Sequence, residues 1–247
     1  MTINKAIPLI ALGLVSATVA GYVITKQRQP EVEGLLDLSK FDAQLRPYGF
    51  VDPKRFWPKN TVIPVCWDNP EAVTASTRDL VRRAIADSWE SAANVEFAPN
   101  WGACANPDSP GIHIFWKDDP RGAGSLIGNR LDRSPRAKGM RLNPTFLNWR
   151  KACQSNVELC IQATATHEFG HAIGLNHESL RNDAPASCKN NPDVLADTSQ
   201  TTDTDTLGTP YDDKSIMNYC NKMVADQTTL SEGDIKVAQI MYGPPLK

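Results

Sequence analysis

A chain of 247 residues, 41% of them hydrophobic, can bury one substantial core or two lobes that share a cleft. Its 26 basic and 28 acidic residues leave a net charge of only -2. No global field draws it to nucleic acid or to an anionic membrane surface, which argues against a nucleic-acid partner.

The chain opens on an almost wholly apolar run, Ala6 to Thr25, with Lys5 before it and Lys26 and Arg28 after it. A signal-peptide core takes roughly 7 to 15 apolar residues and a bilayer span about 20; this run lies near the longer figure, interrupted by Pro8, Gly13 and Gly21. Residues 1–25 are therefore expected to export the chain, either as a signal peptide cut after Ala20 or as an anchor that holds it to a membrane through residues 6–25. Both readings stay open. Residues 26–56 are polar, carry Pro30, Pro47 and Pro53 and show no sustained periodicity, so they read as a linker or a short pro-like segment. The folded, catalytic domain is expected over residues 57–247.

Within it, Val62–Trp67 reads as a strand. Ser76–Ala93 reads as a helix, with Ser76 and Asp79 as its capping box and Leu80, Ala84, Ile85, Ser88 and Trp89 on its core face. Val95–Phe97 and Ile112–Trp116 are further strands, and Ser125–Ile127 and Met140–Leu142 shorter ones, so a small mixed sheet is implied. His113, alone in an apolar strand, reads as a satisfied histidine. The basic stretch Arg121, Arg130, Arg133, Arg136, Lys138 and Arg141 reads as a solvated face, with a preference for acidic substrates as the alternative. Val157–Leu175 predicts one long helix. Residues 191–213 contain six Asp and no Lys or Arg, so no packed element is expected there; a calcium site is the alternative reading. Ser231 with Asp234 caps a last helix that presents Ile235, Ala238 and Met241 before Gly243 and Pro244 stop it.

All six cysteines follow the export segment, and an even number in an oxidising compartment suggests three disulfides. Six cysteines admit fifteen pairings. Sequence proximity favours Cys153 with Cys160, lobe membership favours Cys66 with Cys104, and Cys188 with Cys220 is left to close the loop beyond the long helix. No Cys-x-x-Cys pair occurs, so the cysteines are not read as metal ligands.

The chemistry resides in the stretch His167-Glu168-Phe169-Gly170-His171-Ala172-Ile173-Gly174-Leu175-Asn176-His177. On a helix, His167 and His171 stand one above the other, about 6 Å apart, so both imidazoles reach one ion. Gly174 can take a positive φ and end the helix, bringing His177 to the same ion from another direction. Three nitrogen ligands leave one coordination position open, the arrangement of a catalytic zinc site. Glu168 points about 100° round the helix from His167 and can receive a proton beside that open position. The expected metal ligands are thus His167, His171 and His177, the cofactor is Zn2+, and Glu168 is the general base.

This extended motif resembles the metzincin metallopeptidases, whose second mark is a tight turn containing Met beneath the zinc; Ser215-Ile216-Met217-Asn218-Tyr219 fits that turn. Within that group the chain is most similar to the astacin family: Glu178 follows the third His, Tyr211-Asp212 lead into the turn, and Tyr219 stands two residues after Met217. Leu230-Ser231-x-x-Asp234-Ile235 and Tyr242-Gly243 resemble the terminal helix of metzincins generally. Two positions depart from the astacin pattern: Asn218 stands in place of a His and Asn176 where an aromatic is common. The resemblance implies an α+β, two-lobed zinc peptidase with a small twisted mixed sheet, a long active-site helix and a C-terminal helix. It implies an endopeptidase that hydrolyses internal bonds of a protein or peptide substrate. By the same resemblance Met217 is a hydrophobic floor for the ligands, and Tyr219 is a further zinc ligand or a hydrogen-bond donor to the reacting carbonyl. The Ser125–Ile127 strand is then the edge on which an extended peptide pairs. Two rivals remain: a binding module that keeps zinc for stability, and a zinc hydrolase acting on another bond.

Overall fold

The computed structural model describes residues 50–195, 205–206, 210–220 and 228–246. The expected export segment, most of the expected linker and most of the acidic loop with its alternative calcium site lie outside them. Among the described residues no helix is long and apolar enough to cross a membrane.

The fold begins before Trp57. Strand β1, Phe50–Val51, pairs antiparallel with β7, Asp205–Thr206. Val51 is fully buried, and the Asp52 N–H donates to the Gly174 carbonyl at 3.2 Å. A two-residue strand is too short to show alternation, which is why residues 50–56 read as linker in the sequence.

The expected strand Val62–Trp67 is two strands, β2 at Val62–Ile63 and β3 at Val65–Trp67. Pro64 divides them, since it has no N–H to give to a ladder. Its carbonyl still accepts Ile112 N–H at 2.8 Å. Strand β2 pairs in parallel with β4, Glu96–Phe97, while β3 pairs in parallel with β5, Ile112–Trp116, and β5 with β6, Met140–Leu142. Outside β6 the chain makes one antiparallel bridge, Gly124 to Arg141. Ser125–Ile127 does not form the expected strand. Beyond Gly124 the chain heads into the one-turn helix Gly128–Leu131, so no ladder continues.

Helix α1 is Ala75–Ile85, and its N-cap is Thr74, not Ser76: Thr74 Oγ1 accepts the Thr77 N–H at 3.2 Å. Ser76 lies inside the first turn, with its hydroxyl 2.8 Å from that of Thr74. The helix then widens into a π turn over Ala86–Glu90, where Ser88 Oγ donates back to the Ala84 carbonyl at 2.6 Å. Val81, Ile85, Ser88 and Trp89 are the buried face; Leu80 and Ala84 sit at its margin.

Helix α2, Val157–Ala172, runs through the middle, and every residue from Ala163 to Ser179 is buried. Phe169 meets Phe97 edge to face at 5.0 Å and stacks on Trp101 at 5.2 Å. Fully burying a side chain of this size is worth about 2–3 kcal/mol, so these contacts fix how α2 rotates against the sheet. After α2 come the short helices α3, Ala186–Lys189, and α4, Pro192–Leu195, then the methionine turn and α5, Glu232–Tyr242. Val194 in α4 packs with Ala184 and Cys188, so the start of the acidic stretch is a packed element where none was expected. The three disulfides are Cys66–Cys104, Cys153–Cys160 and Cys188–Cys220, as expected.

Candidate active site

The site grows from the end of α2. Thr164 and Thr166, poor helix formers, give their hydroxyls to the carbonyls of Cys160 at 2.7 Å and Gln162 at 3.0 Å. Trp89, carried inward by the π turn, donates its indole N–H to the Thr166 carbonyl at 2.8 Å, which ties α1 to α2 one residue before His167. The helix stops at Gly174, whose φ of +112° reverses the chain. A side chain there would meet Phe56 at 2.8 Å.

This turn brings the three histidines together. His171 Nε2 lies 2.9 Å from His177 Nε2, and His167 Nε2 lies 3.2 Å from it. His167 Nδ1 donates to the Ile216 carbonyl at 2.8 Å and His171 Nδ1 to the Leu175 carbonyl at 2.8 Å. Since a carbonyl only accepts, Nδ1 carries the proton on each neutral ring and Nε2 presents a lone pair. Converging lone pairs repel unless a cation lies among them. The spacings approach the roughly 3.3 Å that separates nitrogens on a tetrahedral zinc with bonds of about 2.0–2.1 Å. The three side chains thus fit a zinc ion.

Glu168 is buried beside them. Its Oε2 has no hydrogen-bond partner among the described residues. Burial pushes its pKa up to about 8, against a smaller downward pull from the Arg141 guanidinium on β6. A carboxylate so placed is poised to hold a proton near neutral pH.

The methionine turn closes the site from below. A Cβ on Gly170 would lie 2.4 Å from Met217 Sδ and 3.0 Å from Trp89, so only glycine lets the turn press against α2. The Tyr219 ring lies 4.0 Å from that of His177 and 5.5 Å from that of His167. Asn218 holds the turn by donating to Tyr211 Oη at 2.7 Å and to the Asp212 carbonyl at 3.0 Å. Asn176 Oδ1 accepts the His177 N–H at 2.8 Å. Both departures from the astacin pattern are therefore hydrogen-bonded into the site's frame.

A buried polar frame behind His177 went unread in the sequence. Glu178 accepts the Asp212 N–H at 2.9 Å and lies 3.3 Å from the fully buried Arg181, which pairs with Asp183 at 2.8 Å. Burial raises the Glu178 pKa to about 7, and Arg181 opposes the rise. The spacing Glu178 to Arg181, one turn apart, was the one signal that could have revealed it.

The group formed by Cys66, Cys104 and His113 is no metal site, because the cysteines are disulfide-bonded. His113 Nδ1 lies 2.9 Å from Asp68 and its Nε2 lies 2.7 Å from the Ser109 carbonyl, so it is the satisfied histidine expected. A cavity of about 530 Å3 between α1, α2 and α5 contains none of these residues.

Fold and histidine cluster together define an α+β domain with a three-histidine site that fits zinc. Residues 50–241 match the family model for Astacin, a family of peptidases, and the chain belongs to that family. Zinc metalloproteinase nas-36 of Haemonchus contortus is 29% identical over 196 residues, covering 76% of this chain and 28% of that protein. The low choriolytic enzyme of Oryzias latipes is 27% identical over 195 residues, covering 76% of this chain and 62% of that protein. The chain thus spans under two thirds of the length of both curated relatives. Among solved structures, myroilysin shares the fold, with a TM-score of 0.56 and 22% identity over 80% of this chain and 100% of its own.

Proposed function

We propose that this chain is an exported endopeptidase, with zinc held by His167, His171 and His177 and Glu168 as its proton carrier. The observation that carries the reading is the convergence of three Nε2 atoms, together with a buried carboxylate on the residue after His167 that has an unpartnered oxygen. A purely structural zinc site has no use for that carboxylate, which weighs against the binding-module reading.

Zinc, when bound, supplies Lewis acidity that acidifies a water molecule and polarises a peptide carbonyl. Glu168 takes the proton from the attacking water and delivers it to the leaving amine. His167 and His171, each tethered at Nδ1, keep their Nε2 atoms aimed at one point and cost no reordering during turnover. Tyr219, packed on His177, donates to the carbonyl oxygen as charge builds on it or adds a ligand. Ser125–Ile127, with only Gly124 bridged to β6, offers backbone groups on which an extended peptide can pair. The substrates are proteins or peptides, and three disulfides suit an extracytoplasmic setting reached through residues 1–25, by cleavage or by anchoring.

The test is cleavage of an unfolded protein with and without a chelator, alongside Glu168→Ala. We expect chelation to stop cleavage, and the variant to keep its zinc while kcat falls by about 10²–10⁴-fold. Undiminished cleavage under chelation rejects zinc chemistry, and a fully active Glu168→Ala removes Glu168 from the role.

A further inference from the structure

We propose that Asp234, in the first turn of α5, is a positioning residue for the metal site, acting through the Ser215–Met217 turn on the orientation of His167. This role rests on His167 being a zinc ligand. Asp234 is buried, and its carboxylate is divided between two tasks. It accepts the Ser231 N–H at 3.0 Å, closing the capping box that starts α5. It also accepts the Ile216 N–H at 2.9 Å and the Ser215 hydroxyl at 2.7 Å.

The second task leads to the histidine. With its proton committed to Asp234, Ser215 Oγ accepts the Met217 N–H at 3.0 Å. That N–H belongs to the same planar peptide unit as the Ile216 carbonyl. The carbonyl accepts His167 Nδ1–H at 2.8 Å. The ring of His167 therefore takes its tilt from a peptide plane clamped on its far edge by Ser215, and Ser215 takes its orientation from Asp234. A capping box alone needs only the Ser231 contact and works in water at a helix end; burying a carboxylate costs free energy that capping does not require. The two bonds to the turn account for the burial.

Replacing a hydrogen-bonded group behind a metal-ligating histidine typically weakens metal affinity by about 10–100-fold. Asp234→Asn keeps the volume but offers one acceptor where donors approach both oxygens. In the full chain we expect its zinc dissociation constant, measured by chelator competition, to rise by about 10–100-fold, and the visible spectrum of the Co2+-substituted protein to change in intensity. Ser215→Ala cuts the clamp but leaves Asp234 on Ile216 and Ser231, and is expected to move both readouts in the same direction by less. Ser231→Ala removes the side-chain cap of α5 and the hydrogen bond from Ser231 Oγ to Asp212 at 2.6 Å but leaves the clamp, so it is expected to lower the melting temperature with zinc affinity unchanged within about twofold. If Asp234→Asn fails to fold, Ser215→Ala decides. Unaltered zinc affinity and Co2+ spectrum in Ser215→Ala and in any folded Asp234→Asn would reduce Asp234 to a helix cap and overturn the proposal. None of these readouts uses proteolysis, so an inactive but zinc-binding chain would reject the peptidase reading and leave this one standing. His167→Ala is the reference: undiminished zinc binding there would overturn the ligand assignment itself.

Discussion

Gly170 couples the two halves of the motif. It occupies the second of the two free positions between His167 and His171, and its missing Cβ is what lets Met217 lie against the helix. Alanine is the better helix former by about 1 kcal/mol, so a helix considered alone would favour Gly170→Ala. Packing decides the other way. A methyl 2.4 Å from a buried sulfur forces the turn outward, and overpacking of this kind costs about 1–3 kcal/mol. We expect Gly170→Ala to unfold at lower temperature than the parent and to bind zinc more weakly, because the Ile216 carbonyl that orients His167 moves with Met217; equal or raised stability in a thermal scan would contradict this. The Tyr219 hydroxyl can be tested apart from the ring that carries it. Tyr219→Phe keeps the ring packed against His177 and His167 and removes only the hydroxyl, so kcat is expected to fall by about 10²–10³-fold with zinc content unchanged. Loss of zinc in that variant would mark Tyr219 as a ligand.

Helix α2 was the most legible element because local rules and packing agree along it: the histidine spacing and the stop at Gly174 follow from the sequence, although the helix ends at Ala172, short of the expected Leu175. Helix α5 was legible for the same reason, through its capping box. Legibility fails where a tertiary contact outvotes a local pattern. Ser76 and Asp79 satisfy the capping-box pattern, yet Thr74 starts α1, and the π turn that seats Trp89 has no sequence signature. The frame of Glu178, Arg181, Asp212 and Asp234 is assembled from distant stretches, and one sequence gives no means of pairing them. Disulfide pairing was readable through sequence proximity for Cys153–Cys160 and lobe membership for Cys66–Cys104, which left Cys188–Cys220. Of the three bridges, Cys153–Cys160 bears most directly on the site. It closes the entry to α2, whose N-cap Asn156 makes no side-chain capping bond. Closing so short a loop is worth about 2–3 kcal/mol in the chain-entropy account, so the Cys153→Ser, Cys160→Ser double variant is expected to lose about that much in urea denaturation without reductant. The loss should leave the chelator sensitivity of cleavage intact, since the ligands lie beyond the first turns of the helix.

Zinc and Asp119 stabilise the whole domain through different kinds of linkage, and they can be separated. Ligand binding to the native state contributes RT ln(1 + [L]/Kd), about 4 kcal/mol at a thousandfold excess over Kd, so the melting temperature is expected to climb with free zinc and to fall to a fixed floor under chelator. That floor reports the apo fold, in which Asp119 is a buried junction. Its carboxylate meets Lys117 at 3.1 Å, Arg121 at 3.0 Å and Arg141 at 3.9 Å, joining the exit of β5, the outer edge at Gly122–Gly124 and β6. Hydrogen bonds from Arg121, with help from Lys117 and Arg141, hold its pKa far below the ordinary carboxylate value, against the upward push of burial. A carboxyl depressed in the folded state contributes stability that is fully present above its unfolded pKa of about 3.9 and is lost as pH falls toward the folded value. Asp119→Asn removes that contribution at every pH. Measured by urea denaturation in chelator, the variant is expected to be less stable than the parent by on the order of 2 kcal/mol at neutral pH. The gap should stay constant down to about pH 5 and narrow below about pH 4, because only the parent then has something left to lose. A gap that persists unchanged to about pH 2 would show that shape, and not the charge of Asp119, holds this corner of the domain together.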